Sequence, residues 1–392
     1  MNPTNRVLFV DDESRVLDGL RRMLYPHRNA WHMAFANSGA EALELLARER
    51  FDVIVSDVRM PGMSGVELLN IVQQRYPHMT RLVLSGQADR DELLAGIAPI
   101  HQFVQKPCSP EALRSTIERT FQLHRLVCSE PMRAAAARIN SLPVLPDSYH
   151  RLVVSLDNPE ADIDRIADII MHDLSMTAKV LQLVNSAFFG APRRIATIRE
   201  AVGMLGINLI RSLALSAKLF ETLAVATKAP GIADAQRALD RGLAAGKCAK
   251  TVAARLGATP FQSDQAHLAG SLSLVGTLIV APASLCDDSA DGHDAAGDYA
   301  QVGAYLLGLW GFDDEIVEAV AFHRQPSASQ VERALILAAV HLAHCQTESL
   351  NESVRPDAAF LARFGIELKS NAWSRADGLA AGEPHHEPYS VC

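Results

Sequence analysis

The chain lacks paired cysteines. Its six (Cys108, Cys128, Cys248, Cys286, Cys345 and Cys392) are scattered without a single CxxC spacing, so neither a zinc knuckle nor a disulfide framework is implied. Reduced thiols of this kind fit a cytoplasmic protein. An excess of basic charge is missing too. Against 37 Lys and Arg stand 45 Asp and Glu, a formal charge of −8, which excludes a generally basic protein that coats nucleic acid. Glycine and proline, 23 and 19 of the 392 residues, are at ordinary usage, so no collagen-like or low-complexity chain is in view. The start, MNPTNRVLFVDDES, meets acid after one short apolar run and is not a signal peptide. One stretch of 22 residues between Asp264 and Asp287 carries no Asp, Glu, Lys or Arg, long enough to span a bilayer. It contains His267, Ser271, Ser273, Pro282 and Ser284 and has no basic residue close by, and therefore reads as a buried core helix rather than a membrane span.

What remains is the composition of a globular protein, 48% apolar and 21% charged, with length for two or three domains. Residues 1–124 alternate short apolar runs (RVLFV, WHMAFA, DVIVS, RLVLS, HQFVQ) with helical patterns at about 14–25, 38–50, 64–75, 89–98 and 109–124. Strands alternating with helices of this length predict right-handed βαβ units, hence an α/β doubly wound, five-stranded parallel sheet. Its crevice belongs at the carboxyl ends of the strands. From about residue 131 the apolar residues recur at helical spacing instead, and an all-α domain is expected. Residues 125–135 read as a linker helix region, 136–348 as the helical domain and 349–392 as a weakly patterned, poorly ordered tail. Residues 256–323 hold ten acids and no Lys or Arg, a face that repels polyphosphates and argues against a nucleic-acid output.

Asp11 and Asp12 follow the first strand, Asp57 the third, Ser85 the fourth and Lys106 the fifth. Carboxylates brought to one strand-end crevice need a hard cation, and oxygen ligands of this kind suit Mg²⁺. With a hydroxyl and an ammonium added, the set reads as a phosphoryl-accepting site, in which a carboxylate attacks and the cations stabilise oxygen charge. FVDDES, SDVRMPGMSG, LSG and FVQKP, in this order and spacing across residues 5–124, resemble the receiver domain of bacterial two-component response regulators. The resemblance implies Asp57 as phosphoacceptor and a Mg²⁺ site made by Asp11, Asp12, Asp57 and the backbone carbonyl of Arg59. It further implies that Ser85 and Lys106 engage the phosphoryl oxygens, that Phe103 is the aromatic switch, and that the Lys106–Pro107 bond is cis. A sensor histidine kinase is the implied phosphoryl donor.

The second half, from SLPVLPDSYHRLVVSL through DLSMTAKVLQLVNSAFFG to AFHRQP near residue 326, resembles the HDOD domain, a helical module related to the HD phosphohydrolases. Hydrolysis in that wider family needs histidines and a His–Asp pair on metal. At the matching places this chain offers Ser273 and Leu274, no histidine between Arg241 and Lys247, Tyr299, and only His323. No transition metal and no hydrolase activity are therefore expected, and His172, His267 and His323 read as packing or capping residues. Arg193, Arg194 and Arg199 form a small basic cluster, read as solvated arginines. The resulting expectation is a non-catalytic response regulator whose phosphorylation controls a protein-interaction surface, through a homodimer or through contact between the halves. Its partner would be a downstream signalling protein such as one of second-messenger turnover. The rival expectation is a phosphorylation-gated, metal-dependent phosphohydrolase of nucleotide signals.

Overall fold

The computed structural model describes residues 5–86, 100–127, 130–139, 146–158, 162–185, 195–215, 232–279, 295–329, 334–348 and 355–366. The alternating pattern of the first part becomes strands β1 (Asn5–Val10), β2 (Trp31–Ala36), β3 (Val53–Asp57), β4 (Thr80–Ser85) and β5 (Gln102–Gln105). They pair in parallel in the order β2-β1-β3-β4-β5. Helices α1 (Ser14–Leu24), α2 (Gly39–Arg48), α3 (Gly65–Arg75) and α4 (Pro110–Leu126) cover it. The helix expected over 89–98 lies outside the described residues. Successive strand residues face opposite sides. Val7, Phe9, Val55 and Leu82 therefore join α1 and α4 in one core, while Leu8, Val10, Ile54 and Val83 join another on the far face. Serine caps set where the helices begin: Ser38, Ser64 and Ser109 accept from Glu41, Glu67 and Ala112 N–H. At Ser64 the Glu67 side chain returns the bond to the cap backbone, completing a capping box.

From Glu130 on, the described residues form no strand. The helices are α5 (Glu130–Ala137), α6 (Pro146–Asp157), α7 (Ile163–Met171), α8 (Leu174–Val184), α9 (Ile198–Leu205), α10 (Ile207–Leu215), α11 (Ile232–Arg255), α12 (Pro260–Leu272), α13 (Ala295–Leu309), α14 (Asp314–Phe322), α15 (Leu335–Glu348) and α16 (Ala358–Arg363). Three details differ from the sequence reading. The helical spacing expected from residue 131 on breaks between α7 and α8 without Pro or Gly. Asp173 caps α8 there by accepting from Ser175 and Met176 N–H at 2.9 and 3.0 Å. The charge-free stretch after Asp264 is not one long helix, because α12 stops at Leu272 and a short 3₁₀ turn follows at Val275–Leu278. Within the expected tail, α16 is packed: Asp357 caps it and Phe360 and Leu361 are buried. Among the described residues no helix is long and apolar enough to cross a membrane.

The two halves share a polar and an apolar seam. Arg81, at the head of β4, is wholly buried. Its guanidinium donates to the carbonyls of Met79 (3.2 Å) and of Ala137 in α5 (2.7 Å). His101, just before β5, accepts the Arg81 backbone N–H at Nδ1 (3.1 Å). Its Nε2 lies 2.8 Å from the Arg81 guanidinium nitrogen Nη2 and 3.1 Å from the same Ala137 carbonyl. Gln182 of α8 donates to the His101 carbonyl at 3.4 Å, and Gln102 donates to Gly308 of α13 at 3.1 Å. Arg119 of α4 donates to the Phe312 carbonyl and pairs with Asp314.

Candidate functional site

Parallel strands of a doubly wound sheet bring their carboxyl ends to one edge, and the register does so here: Val10 pairs with Ser56, Asp57 with Leu84 and Ser85 with Gln105. Asp11 follows β1 and is buried, its backbone N–H tied to Ala36 at 3.2 Å. Lys106 follows β5, and its N–H bonds the Ser85 carbonyl at 2.7 Å. Its ammonium joins Asp11 Oδ2, at 2.8 Å, to Asp57 Oδ1. The remaining oxygens accept backbone donors, Glu13 N–H at Asp11 Oδ1 (3.0 Å) and Arg59 N–H at Asp57 Oδ2 (2.9 Å). Two carboxylates thus share one cation. Burial raises the Asp57 pKa against the pull of Lys106, and the Asp11 charge adds to the rise. Burial also opposes the Lys106 charge, but its hydrogen bonds to Asp11 and Asp57 outweigh that and raise its pKa.

Of the residues singled out in the sequence, Asp11, Asp57 and Lys106 are in direct contact. Ser85 is buried at the adjoining strand end, and Phe103 is buried one turn of the pleat below it. Asp12 is exposed. Among the described residues, no three His, Cys, Asp or Glu side chains are gathered closely enough to enclose a metal ion. The donors available are nonetheless all hard oxygens, and the negative charge exceeds what one lysine supplies. Such a site suits a divalent cation that keeps several of its waters. The Lys106–Pro107 bond is cis. Gly65 is a matter of close approach: a Cβ there would sit 1.8 Å from the Asp57 carbonyl oxygen. Gly65→Ala is expected to cost roughly 1–3 kcal/mol, read as a lowered midpoint in urea unfolding.

In the helical half, Ser273 donates to Gly270 at 2.8 Å, and Leu274 packs with Tyr299 and Ala300. His323 faces the Val320 carbonyl at 2.8 Å and the Tyr299 hydroxyl at 3.4 Å. His341 and His344, which the sequence reading passed over, stand with it. His341 Nδ1 contacts the His323 carbonyl at 2.7 Å, and the His344 ring lies 4.6 Å from that of His323. His172 contacts the Asp168 carbonyl at 2.6 Å and closes α7. Arg193 and Arg194 lie outside the described residues, whereas Arg199 pairs with Asp164 at 2.6 Å.

A family model for the response regulator receiver domain matches residues 7–118, and one for the HDOD domain matches residues 142–326. The chemotaxis protein CheY of Pseudomonas aeruginosa is 34% identical over 123 residues, covering 30% of this chain and 96% of CheY. The hydrogenase transcriptional regulatory protein HoxA of Cupriavidus necator is 39% identical over 229 residues, 53% of this chain and 47% of HoxA. A solved signal receiver domain of an HD domain-containing protein from Pseudomonas fluorescens is 27% identical, covering 31% of this chain and 97% of that domain with a TM-score of 0.29. The chain spans half or less of the length of the hydrogenase regulators that it matches. The five-stranded parallel sheet, the two family models and the likeness to CheY lead to one statement: the chain belongs to the response regulators, with a receiver domain followed by an HDOD domain.

Proposed function

We propose that Asp57 accepts a phosphoryl group from a sensor histidine kinase and that the HDOD half is a non-catalytic, phosphorylation-controlled interaction module. The observation that carries this is the Lys106 ammonium joined to both Asp11 and Asp57 at the carboxyl edge of the sheet. An Asp57 oxygen attacks phosphorus, the P–N bond to the donor imidazole breaks, and the imidazole leaves. Lys106 then turns from the carboxylate to a phosphoryl oxygen, and the Ser85 hydroxyl donates to another. Asp11, Asp12, Asp57 and the Arg59 carbonyl would hold Mg²⁺, which when bound neutralises oxygen charge. On this reading residues 1–124 are the receiver, 125–135 the connection, 136–348 the output domain and 349–392 the tail.

The output follows from the strands. β4 carries Ser85 at one end and Arg81 at the other, roughly 13 Å away at 3.3 Å per residue. β5 leads from the Lys106 side back to His101 and Gln102. A shift of Ser85 and Phe103 on phosphorylation therefore acts on elements that end in the seam with α5, α8 and α13. Loosening that seam changes which surface a second copy or a downstream signalling protein meets.

The test compares wild type and Asp57→Ala, with and without beryllofluoride plus Mg²⁺, by sedimentation and by pull-down. The expected result is a change of mass or of bound partner in the wild type alone. No change in either, or an equal change in Asp57→Ala, overturns the reading.

A further inference from the structure

Between α7–α8–α9 on one side and α11–α12 on the other lies a cavity of about 960 Å³, at the upper end of the range that takes small ligands. None of Ser273, Leu274, Tyr299 or His323 lines it, although Leu243 and Lys247 do, from the stretch that matches one ligand-bearing helix of the HD hydrolases. Its body is apolar, with Met171, Leu174, Leu181, Leu243 and Leu268 in the walls.

Among the described residues, two polar groups in the wall have no hydrogen-bond partner. Ser271 is buried, and its hydroxyl makes no hydrogen bond. The His267 ring bonds the backbone of Gly246 through one nitrogen, while its buried Nδ1 has no partner. Burial holds the His267 pKa below the usual imidazole value, so the ring is neutral and Nδ1 is an acceptor waiting for a donor. Leaving buried polar atoms unsatisfied is costly, and a bound ligand that supplied their partners would recover that cost.

The mouth has the opposite character. Lys247 and Lys250 project from one face of α11, at helical spacing with Leu243, Arg255 joins them from the last turn of that helix, and Arg199 stands across from them. Asp264, already paired with Lys250 at 2.7 Å, is the sole acid among the cavity's residues. Lys247 and Arg255 are exposed and make no ion pair among the described residues. An anion at the mouth would meet an excess of positive charge, while an apolar body carrying one N–H or O–H donor would reach His267 and Ser271. Inorganic phosphate has no such body, and a fatty acid has no donor at its apolar end. We infer that this cavity binds a nucleoside monophosphate or a close chemical relative, with its phosphate on Lys247 and Arg255 and its ring against His267 and Ser271.

Isothermal titration of the full chain with AMP, GMP, CMP and UMP tests this, with the parent nucleosides and inorganic phosphate as controls. At least one monophosphate is expected to bind with a Kd of about 1 mM or tighter, and at least tenfold more tightly than its nucleoside or than phosphate. The surface double variant Lys247→Glu/Arg255→Glu, which leaves the core untouched, should weaken that binding tenfold or more. Ser271→Ala, which alters only the inner wall, should weaken it severalfold without changing the phosphate dependence. Absence of binding by all four monophosphates, or binding that the double variant leaves unchanged, overturns the inference.

Discussion

Lowering the pH from about 6.5 to 4 is expected to loosen the seam between receiver and HDOD halves. His124 of α4 lies beside Tyr305 of α13, with ring centroids 5.9 Å apart, and its Nε2 contacts the Thr80 hydroxyl at 3.2 Å. Burial, reinforced by Arg133 and His78, lowers its pKa to about 4. Burial, reinforced by Arg81, also places the His101 pKa well below the usual value. The geometry shows why: a proton on Nδ1 would set a donor against the Arg81 N–H. Both imidazoles bind protons more weakly in the folded chain than in the unfolded one. The unfolded chain therefore takes up protons first, and stability falls as pH falls through 6.5 toward the folded values. For His124 alone this amounts to up to about 3 kcal/mol. Urea midpoints measured at pH 7.5 and 5 check it. His124→Gln should be less sensitive to acid than the wild type, and equal sensitivity would show that the loss arises elsewhere, for instance at His267 or His341, whose pKa values burial also lowers.

The sheet and the acid site were legible because both are written locally. A strand covered on two faces has to be apolar throughout, and RVLFV and VIV are. The residues at the carboxyl ends follow from chain order once the topology is known. The seam was not legible. Arg81 opens a strand, where a charged residue ordinarily reads as solvated, yet the carbonyl that covers it belongs to Ala137, 56 residues away. Lys179 stands in an apolar run whose helical period fits core packing, and nothing nearby in sequence marks what it meets. The cavity failed for a related reason. Arg193, Arg194 and Arg199 drew the reading because they are close in sequence, whereas the cations that gather at the mouth are spread along the second half of α11. The signal was present in Leu243, Lys247, Lys250 and Arg255, but only a partner hairpin turns such a stripe into a wall. His341 and His344 were missed because HLAHC reads as part of an apolar helix.

Lys179→Met is expected to remove most of a rise in stability between pH 7 and 10. Lys179 is wholly enclosed in α8, and its ammonium lies 5.6 Å from the centre of the Trp310 ring. Burial brings its pKa down to about 7. Between that value and the ordinary 10.5, the folded chain holds fewer protons than the unfolded one, so stability rises with pH across this window and the full penalty applies below it. Methionine keeps a stem of similar length and removes the charge. The wild type should thus gain stability from pH 7 to 10 by urea unfolding, and the variant should be flatter over that range. An unchanged slope in the variant would show that the rise comes from other groups. Lys179 also bears on function. It lies one turn before Gln182, which reaches the His101 carbonyl, and its charge helps to keep His101 neutral. On the proposed reading, a shift of Ser85 along β4 acts on this same seam, where Arg81 meets the Ala137 carbonyl and Gln182 the His101 carbonyl. Removing the lysine charge should therefore also diminish the response of the full chain to beryllofluoride.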